Sequence, residues 1–252
     1  MSEIEVPLVN HVRVTLSSNC LYSAFSSAAL CLDLESSGDR TDEEIRLRHR
    51  SLVINSVTSA VAFLESCVNE LFSSAAEDGF GFRFADEEAR RRLAGVWAVE
   101  RFRLSRVLEK YEVALQLVEA PAFDRGAKTY QEASLLVQLR NALLHYSPST
   151  LRLEGGATVD PDPDNFAKRL KGRFPENPWA AKYMLITTDV TPVPTVWPFF
   201  PERCLGAGCA AWAAQAALGL ADEFFERLGV EPSYAWVRGH LAALNGLTSA
   251  SS

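Results

Sequence analysis

Residues 41–76 read TDEEIRLRHRSLVINSVTSAVAFLESCVNELFSSAA, a stretch that contains neither glycine nor proline. It opens on Thr41-Asp42-Glu43-Glu44, which has the pattern of a capping box, where a hydroxyl side chain and an acid three positions later satisfy free backbone amides. With no helix breaker before Ala76, the stretch predicts one continuous helix about 50 Å long, at about 1.5 Å per residue. A helix of that length can form the central element of a helical bundle.

Apolar residues recur along this helix at alternating spacings of four and three, which places them on one face. They are Val57, Val61, Leu64, Val68 and Leu71. This face is predicted to lie in the core. Glu65 and Asn69 lie beside it, four positions apart. Either they form the polar flank of an amphipathic helix, or one of them reaches the Arg140–His145 pair considered below and orients it.

Further helices are predicted along most of the chain. The first begins at residue 9 or 16 and ends at 34, with a short strand at 12–16 as the alternative. The next two cover 86–118, with a bend near Gly95, and 129–146, which starts at a second capping box. The last three cover 166–174, 207–228, which ends at Gly229, and 233–244. Between them, residues 147–203 contain two proline-rich runs that exclude regular helix, and only 183–188 resembles a strand.

The pattern as a whole predicts an all-α fold. We expect a single domain over residues 1–252, built as a helical bundle with an irregular, proline-rich insertion at about 147–203 before the C-terminal helices. Long irregular segments inside compact domains are usually functional. Because this one directly follows the helix over 129–146, it is placed to cover the end of that helix.

Composition limits the class of function. The chain has 252 residues, 48% of them hydrophobic, and a formal net charge of −7, which argues against a general nucleic-acid coat protein. Its five cysteines form no metal-ligand pattern, and several lie in apolar helical stretches, so they are expected to be reduced core thiols of a cytoplasmic protein. We expect no secretory signal, and the apolar tract 204–221 predicts a buried helix rather than a membrane span.

Basic residues concentrate between residues 83 and 110. Arg90, Arg91, Arg101 and Arg103 are candidates for contacts with the phosphates of RNA. Glutamates are interspersed among them, so a solvated face of ordinary ion pairs is the alternative interpretation.

The helix over 129–146 ends on Arg140-Asn141-Ala142-Leu143-Leu144-His145, followed by Tyr146 and Ser147-Pro148. Asn141 and His145 are four apart and share one face, whereas Arg140 lies about 140° from His145 around the axis. Its long side chain can still reach an anion that the imidazole also touches. Histidine transfers protons near neutral pH, and the forked donors of arginine suit phosphate.

An arginine, a polar residue and a histidine at this spacing resemble the motif of the HEPN superfamily, and residues 50–72 resemble the long early helix of its all-helical domains. The resemblance covers roughly residues 40–148. It implies a metal-independent endoribonuclease, as found among toxins and anti-phage effectors, with Arg140, Asn141 and His145 as its catalytic residues. It also implies a homodimer that brings two motifs together. Antitoxin partners of HEPN proteins often modify a tyrosine two positions after the histidine; here Tyr146 directly follows it, which puts that partnership in doubt. Tyr146 is instead a candidate, like Glu65 and Asn69, for orienting the catalytic pair.

Other chemistries have less support in the sequence. It has no phosphate-binding glycine loop, no serine-hydrolase motif and no histidine–cysteine pattern for a metal, so no cofactor and no metal are expected. His49 stands among Arg46, Arg48 and Arg50, which predicts a solvated face. The alternative function is a non-catalytic helical binding or scaffold module. A buried His145 that bonds only to core groups would favour it.

Overall fold

The computed structural model describes residues 13–77, 86–147, 166–180 and 198–241, and the backbone of four two-residue strands between residues 153 and 194. The helices are α1 (Ser17–Ser37), α2 (Glu43–Ala76), α3 (Glu87–Trp97), α4 (Glu100–Arg103), α5 (Val107–Leu117), α6 (Lys128–Leu144), α7 (Phe166–Leu170) and α8 (Ala207–Leu228). The strands are β1 (Leu153–Glu154), β2 (Ala157–Thr158), β3 (Met184–Leu185) and β4 (Val193–Pro194). They form two antiparallel pairs, β1–β2 and β3–β4. The all-α prediction is confirmed, because strand structure in the described part is limited to these short pairs.

Helix α2 is the central element of the bundle, as predicted. The five residues of its predicted core face, from Val57 to Leu71, are at most 1% exposed. Helices α1 and α8 pack against it, and one apolar cluster joins them with α5 and α6. The helix begins one residue later than a cap at Thr41 would place it. Asp42 is the N-cap, and its carboxylate accepts hydrogen bonds from the amides of Glu44 and Ile45.

Helix α1 begins at Ser17, so the later of the two predicted starts is the better one. The reason lies in α2, whose Glu70 accepts hydrogen bonds from the amides of Leu16 and Ser17 at 2.9 Å each. A carboxylate there satisfies free amides of the first turn and opposes the positive end of the helix dipole. Residues 13–16 are not strand, and the rest of that alternative falls on residue 12, outside the described residues.

The single helix predicted over residues 86–118 is wrong. The chain forms α3, α4 and α5, with breaks at Ala98–Val99 and at Leu104–Arg106, and not at Gly95. Asp86 caps α3 as expected. The first break lets two aromatic rings fold onto Phe72 of α2: Trp97 stacks on it at 5.8 Å between centroids, and Phe102 meets it edge-on at 4.9 Å. Burial of these rings outweighs the bonds lost at the break.

Helix α6 begins at Lys128 and ends at Leu144, so the predicted start moves one position and the predicted end two positions toward the N-terminus. Ala127 is its N-cap and makes no side-chain bond, so Thr129 is not a capping residue. An Asp124 turn precedes it, with Oδ1 accepting from the amide of Gly126 at 2.8 Å. At the other end His145 is the C-cap, and its amide donates to the carbonyl of Asn141 at 2.9 Å. Tyr146 therefore lies outside the helix.

The C-terminal part follows the sequence prediction in most respects. Helix α8 has the predicted bounds, and Gly229 ends it with a φ of 64°, a left-handed conformation that glycine adopts without strain. The basic helix predicted over 166–174 is shorter, ending at Leu170. The strand predicted over 183–188 is seen only as β3, and its other residues lie outside the described part. In place of a helix from 233, a 3-10 turn at Ala235–Val237 precedes helical residues up to 241.

One helix of the described residues, α2, is long and apolar enough to span a membrane by length and composition. Half of its most apolar window is buried inside the protein, as expected for the core helix of a bundle. Residues 207–221 of the apolar tract lie in α8, and the tract is largely buried, as predicted: Cys204, Cys209, Ala213 and Ala217 have no exposed surface. The cysteines are free, and four of the five are buried, which agrees with their prediction as core thiols.

Candidate functional site

An open groove of about 990 Å³ runs between α5 and α6. Arg106 and Glu112 line it from the α5 side, and Arg140 and Asn141 line it from α6. Two of the three predicted catalytic residues therefore line an accessible concave surface, whereas His145 is not among the residues that line it. Part of the insertion reaches the same region, because Arg169 of α7 donates a hydrogen bond to Gln138 of α6, which also lines the groove.

An ion pair forms one wall of this groove. Arg125 donates to both carboxylate oxygens of Glu112, at 2.9 and 2.7 Å, and the Tyr130 hydroxyl donates to the same carboxylate at 2.7 Å. The hydrogen bonds from Arg125 hold the pKa of Glu112 below its ordinary value. Burial, with the bond to the Glu112 carboxylate, raises the pKa of Tyr130 to about 12. Both groups are thus fixed in one protonation state at neutral pH, which argues against either as the proton-transferring residue.

Two arginines of the groove are left with free guanidinium groups. Among the described residues, neither the guanidinium group of Arg106 nor that of Arg140 has a hydrogen-bond or ion-pair partner, whereas that of Arg125 is neutralised by Glu112. Arg106 belongs to the basic stretch between residues 83 and 110, but it is not one of the four arginines that the sequence predicts to contact RNA phosphates. Two unpaired guanidinium groups on opposite sides of one groove are suited to a phosphodiester, which offers two charged oxygens.

His145 lies at the exposed end of α6, directly after the last helical residue. Its backbone amide is bonded to Asn141, and within the described part of the chain no hydrogen bond or ion pair engages its imidazole. Asn141 is exposed and Arg140 half-buried. No described hydrogen bond joins Arg140 to His145, in keeping with their separation around the helix axis. One chain thus places the two residues five positions apart at the end of α6 but does not pair their side chains.

Tyr146 connects this helix end to the segment before α8. It is 48% exposed, and its ring meets that of Phe200 edge-on at 6.3 Å between centroids. Phe166 of α7 packs against the same Phe200 at 5.6 Å. Residues on both flanks of the insertion therefore border the end of α6. The predicted role of Tyr146 in orienting the catalytic pair stays a prediction.

Glu65 and Asn69 have a partner that the sequence did not indicate. Both point to Lys110 of α5, whose ammonium group donates to Asn69 Oδ1 at 3.0 Å and lies 3.8 Å from Glu65 Oε1. The Lys110 side chain has no exposed surface. Burial lowers the pKa of Lys110, and the nearby Glu65 partly offsets that effect. These contacts support a structural role in joining α2 to α5; no described bond links either residue to Arg140 or His145.

Most of the candidate phosphate-binding arginines have partners within the protein. Arg90 donates to both oxygens of Glu87 and to the carbonyl of Ala75, and so ties α3 to α2. Arg91 pairs with the same Glu87 at 3.3 Å. Arg103 donates to the carbonyl of Trp97 and lies 5.1 Å from the centre of its ring. Of the four, Arg101 is the exposed residue for which the described structure shows no partner.

The prediction that His49 lies on a solvated face is wrong. His49 is 2% exposed, and its Nε2 lies 2.8 Å from Oε1 of Glu35 in α1. Its ring stacks on Trp179 of the insertion at 4.4 Å between centroids. The sequence held a signal for this, because His49 lies four residues before the buried Val53 and so continues the core face of α2. Its neighbouring arginines obscured that periodicity.

The chain has no match among protein-family models, curated proteins or solved structures. The resemblance of the Arg140–His145 motif to HEPN domains therefore stays a prediction from the sequence.

Proposed function

We propose that this protein is a metal-independent endoribonuclease of the HEPN type, acting in the cytoplasm as a toxin or anti-phage effector. The observation that carries the proposal is the end of α6, where an exposed imidazole at His145 lies five residues after Arg140, whose free guanidinium group lines an open groove. If Arg140 and His145 had only a structural role in a scaffold protein, their side chains would be expected to be buried in the core and hydrogen-bonded there. The exposure of His145 supports the enzyme over that alternative.

The chemistry requires no group beyond side chains. A base takes the proton of a ribose 2′-hydroxyl, whose oxygen attacks the adjacent phosphorus. The bond to the 5′-oxygen breaks, and an acid protonates the leaving oxygen, which gives a cyclic phosphate and a free 5′-hydroxyl. One neutral and one protonated His145 can fill the two roles, because imidazole exchanges protons near neutral pH. Arg140 stabilises the charge that develops on the phosphoryl oxygens, and Asn141 orients the substrate or His145.

One chain supplies one histidine, so we infer that two chains assemble the site. The ends of both α6 helices would meet across a two-fold axis in a homodimer, and each groove between α5 and α6 would lead RNA to the shared centre. Arg106 and Arg101 are the additional arginines available for the RNA backbone. Regulation by an antitoxin or another defence-system protein is consistent with the proposal. Modification of Tyr146 is the less favoured mode, because this residue directly follows the histidine.

Mixing of wild-type and variant subunits tests the proposal. His145→Ala and Arg140→Ala proteins should each cleave RNA about 10²- to 10⁴-fold more slowly than wild type. Wild-type protein refolded together with an excess of His145→Ala protein should lose most of its activity, because a mixed dimer contains one histidine and the two proton transfers need two. His240→Ala is the matched control, since it removes another exposed histidine away from α6. Reaction rates are followed on labelled single-stranded RNA with a chelator present.

Several results would contradict this function. Cleavage at the wild-type rate by either variant removes the assignment of the catalytic residues. Activity that the chelator abolishes and a divalent cation restores contradicts the metal-independent mechanism. Cleavage by a monomer, with no loss of wild-type activity on mixing with His145→Ala, contradicts the shared site.

A further inference from the structure

Three potential metal ligands meet inside the bundle, away from α6. They are Cys31 and Glu35 of α1 and His49 of α2, and their Sγ, carboxylate and imidazole atoms all lie within 4.8 Å of one another. Cys31 has no exposed surface, and the side chains of His49 and Glu35 are 3% and 10% exposed. Thiolate, carboxylate and imidazole are the three ligand types that zinc takes in proteins.

The surrounding structure fixes each ligand in place. Cys31 and Glu35 are four positions apart in α1 and so share one face. Trp179 stacks on the imidazole and sets its plane. The amide of Ala207, at the start of α8, donates to Oε1 of Glu35 at 2.7 Å. The two helices and the insertion therefore hold the ligands before any ion binds, as a preorganised site requires.

We propose that Cys31, Glu35 and His49 form a structural zinc site that joins α1 to α2. The distances require only a small adjustment. Ligands about 2.0 to 2.3 Å from a tetrahedral zinc ion lie about 3.3 to 3.8 Å from one another. The 2.8 Å separation of His49 Nε2 and Glu35 Oε1 must open slightly, and Cys31 must approach by a rotation of its side chain. A water molecule or the second Glu35 oxygen completes the four ligands.

Charge balance favours the same assignment. Zinc with one thiolate, one carboxylate and one neutral imidazole has a net charge of zero, which suits a buried position. Without a cation, the Cys31 thiol donates its proton in a hydrogen bond to the backbone carbonyl of His49, 3.9 Å away. On binding, Cys31 releases that proton, and His49 binds the ion through Nε2 while its remaining proton resides on Nδ1. The hydrogen bond between His49 and Glu35 is thus replaced by two bonds to the ion.

Metal content tests the site directly. The full-length protein, purified from zinc-supplemented culture and also refolded with zinc chloride, should contain one zinc ion per chain by elemental analysis. Cys31→Ser and His49→Gln should lower that content strongly, whereas Cys67→Ser, a change of another buried cysteine, should not. Replacement of zinc by Co²⁺ should give the near-ultraviolet absorption of a thiolate–cobalt bond. Saturating zinc should raise the Tm of the metal-free protein by roughly 5 to 10 °C.

Substoichiometric zinc in the wild-type protein after both preparations overturns the proposal, and so does Co²⁺ binding without the thiolate band. These measurements on the wild type remain decisive even where a substitution prevents folding. Equal zinc content in Cys31→Ser and Cys67→Ser also overturns it. None of these readouts uses RNA, so the zinc site and the ribonuclease can fail separately. Zinc content should be measured before and after the chelator assay described above, because a buried structural ion should survive brief exposure.

Discussion

Two histidines in this protein have opposite surroundings. His49 is buried in the middle of the bundle, bonded to Glu35 and stacked on Trp179. His145 is exposed at the end of α6, and the described structure gives its imidazole no partner. The sequence predicted the reverse environment for His49, because arginines flank it, and a site for His145, because a motif contains it.

The difference shows how burial distinguishes polar residues that support the fold from polar residues that are available to bind a ligand. A buried group must be paired or it destabilises the fold, so the partners of His49 are part of the structure. An exposed group keeps its hydrogen-bonding capacity for water or a ligand, so the free state of His145 fits a role in binding or catalysis. The two histidines should therefore respond differently to the same substitution.

Replacing each histidine by alanine should give the largest contrast in stability. In metal-free protein, His49→Ala should lower the free energy of unfolding by about 3 kcal/mol, because it breaks a buried pair and leaves a cavity beside Trp179. His145→Ala should change it by less than about 0.5 kcal/mol, as for other exposed positions. Urea unfolding followed by circular dichroism measures both. Equal losses in the two variants would show that burial does not distinguish these residues.

The segment that contains Trp179 should contribute less to the free energy of unfolding than His49 does. Asn177 is 7% exposed; its side-chain amide donates to the carbonyls of Glu202 and Leu205 at 3.2 and 3.1 Å, and its carbonyl oxygen accepts from the amide of Trp179 at 2.9 Å. Asn177→Ala should cost about 2 kcal/mol, because these buried groups lose their partners.

Asn177→Asp is its control, since it keeps the acceptor for Trp179 but removes both donors. If the donors matter most, the two variants should be similarly destabilised. Limited proteolysis should then cut the insertion faster in both, while α2 stays protected. Wild-type stability in Asn177→Ala would mean that this segment does not support the buried His49.

A substitution in the groove beside Arg140 should have the smallest effect on the free energy of unfolding, and that effect should depend on pH. Glu112 is 27% exposed and Arg125 is 73% exposed, so Glu112→Gln should cost only about 1 kcal/mol at pH 7. The pKa of Glu112 is lower in the folded state than in the unfolded state. The ionised carboxylate therefore stabilises the fold fully above the unfolded-state pKa of about 4.3, and this stabilisation is lost as pH falls through the folded-state pKa.

The free energies of unfolding of wild type and Glu112→Gln, plotted against pH, should therefore begin to converge as pH falls below about 4. Tyr130→Phe is the control, because it removes the phenol bond but leaves the ion pair with Arg125 intact. A constant difference between the two curves at all pH values would mean that the Glu112 charge does not account for the stabilisation.

Sequence patterns predicted the helices that depend on local interactions. The capped start of α2 and its five-residue core face, and the end of α8 at Gly229, follow from short-range geometry and were predicted to within one residue. Residues 86–118 were predicted less well, since their helical propensity has no strong breaker at residue 98. The chain bends there because Trp97 and Phe102 gain contacts with Phe72, which lies in a different helix.

The sequence by itself determined that this chain forms a helical bundle around residues 43–76 and that Arg140, Asn141 and His145 lie at the end of one helix. Periodicity and capping are local properties, so they can be read without knowledge of the fold. The tertiary structure decided which polar residues are buried and what they contact. Glu35, for example, meets the amide of Ala207 across 172 positions, and Lys110 meets Asn69 across 41. Such contacts depend on how whole helices pack, because burial, and not residue type, sets the energy of a polar group.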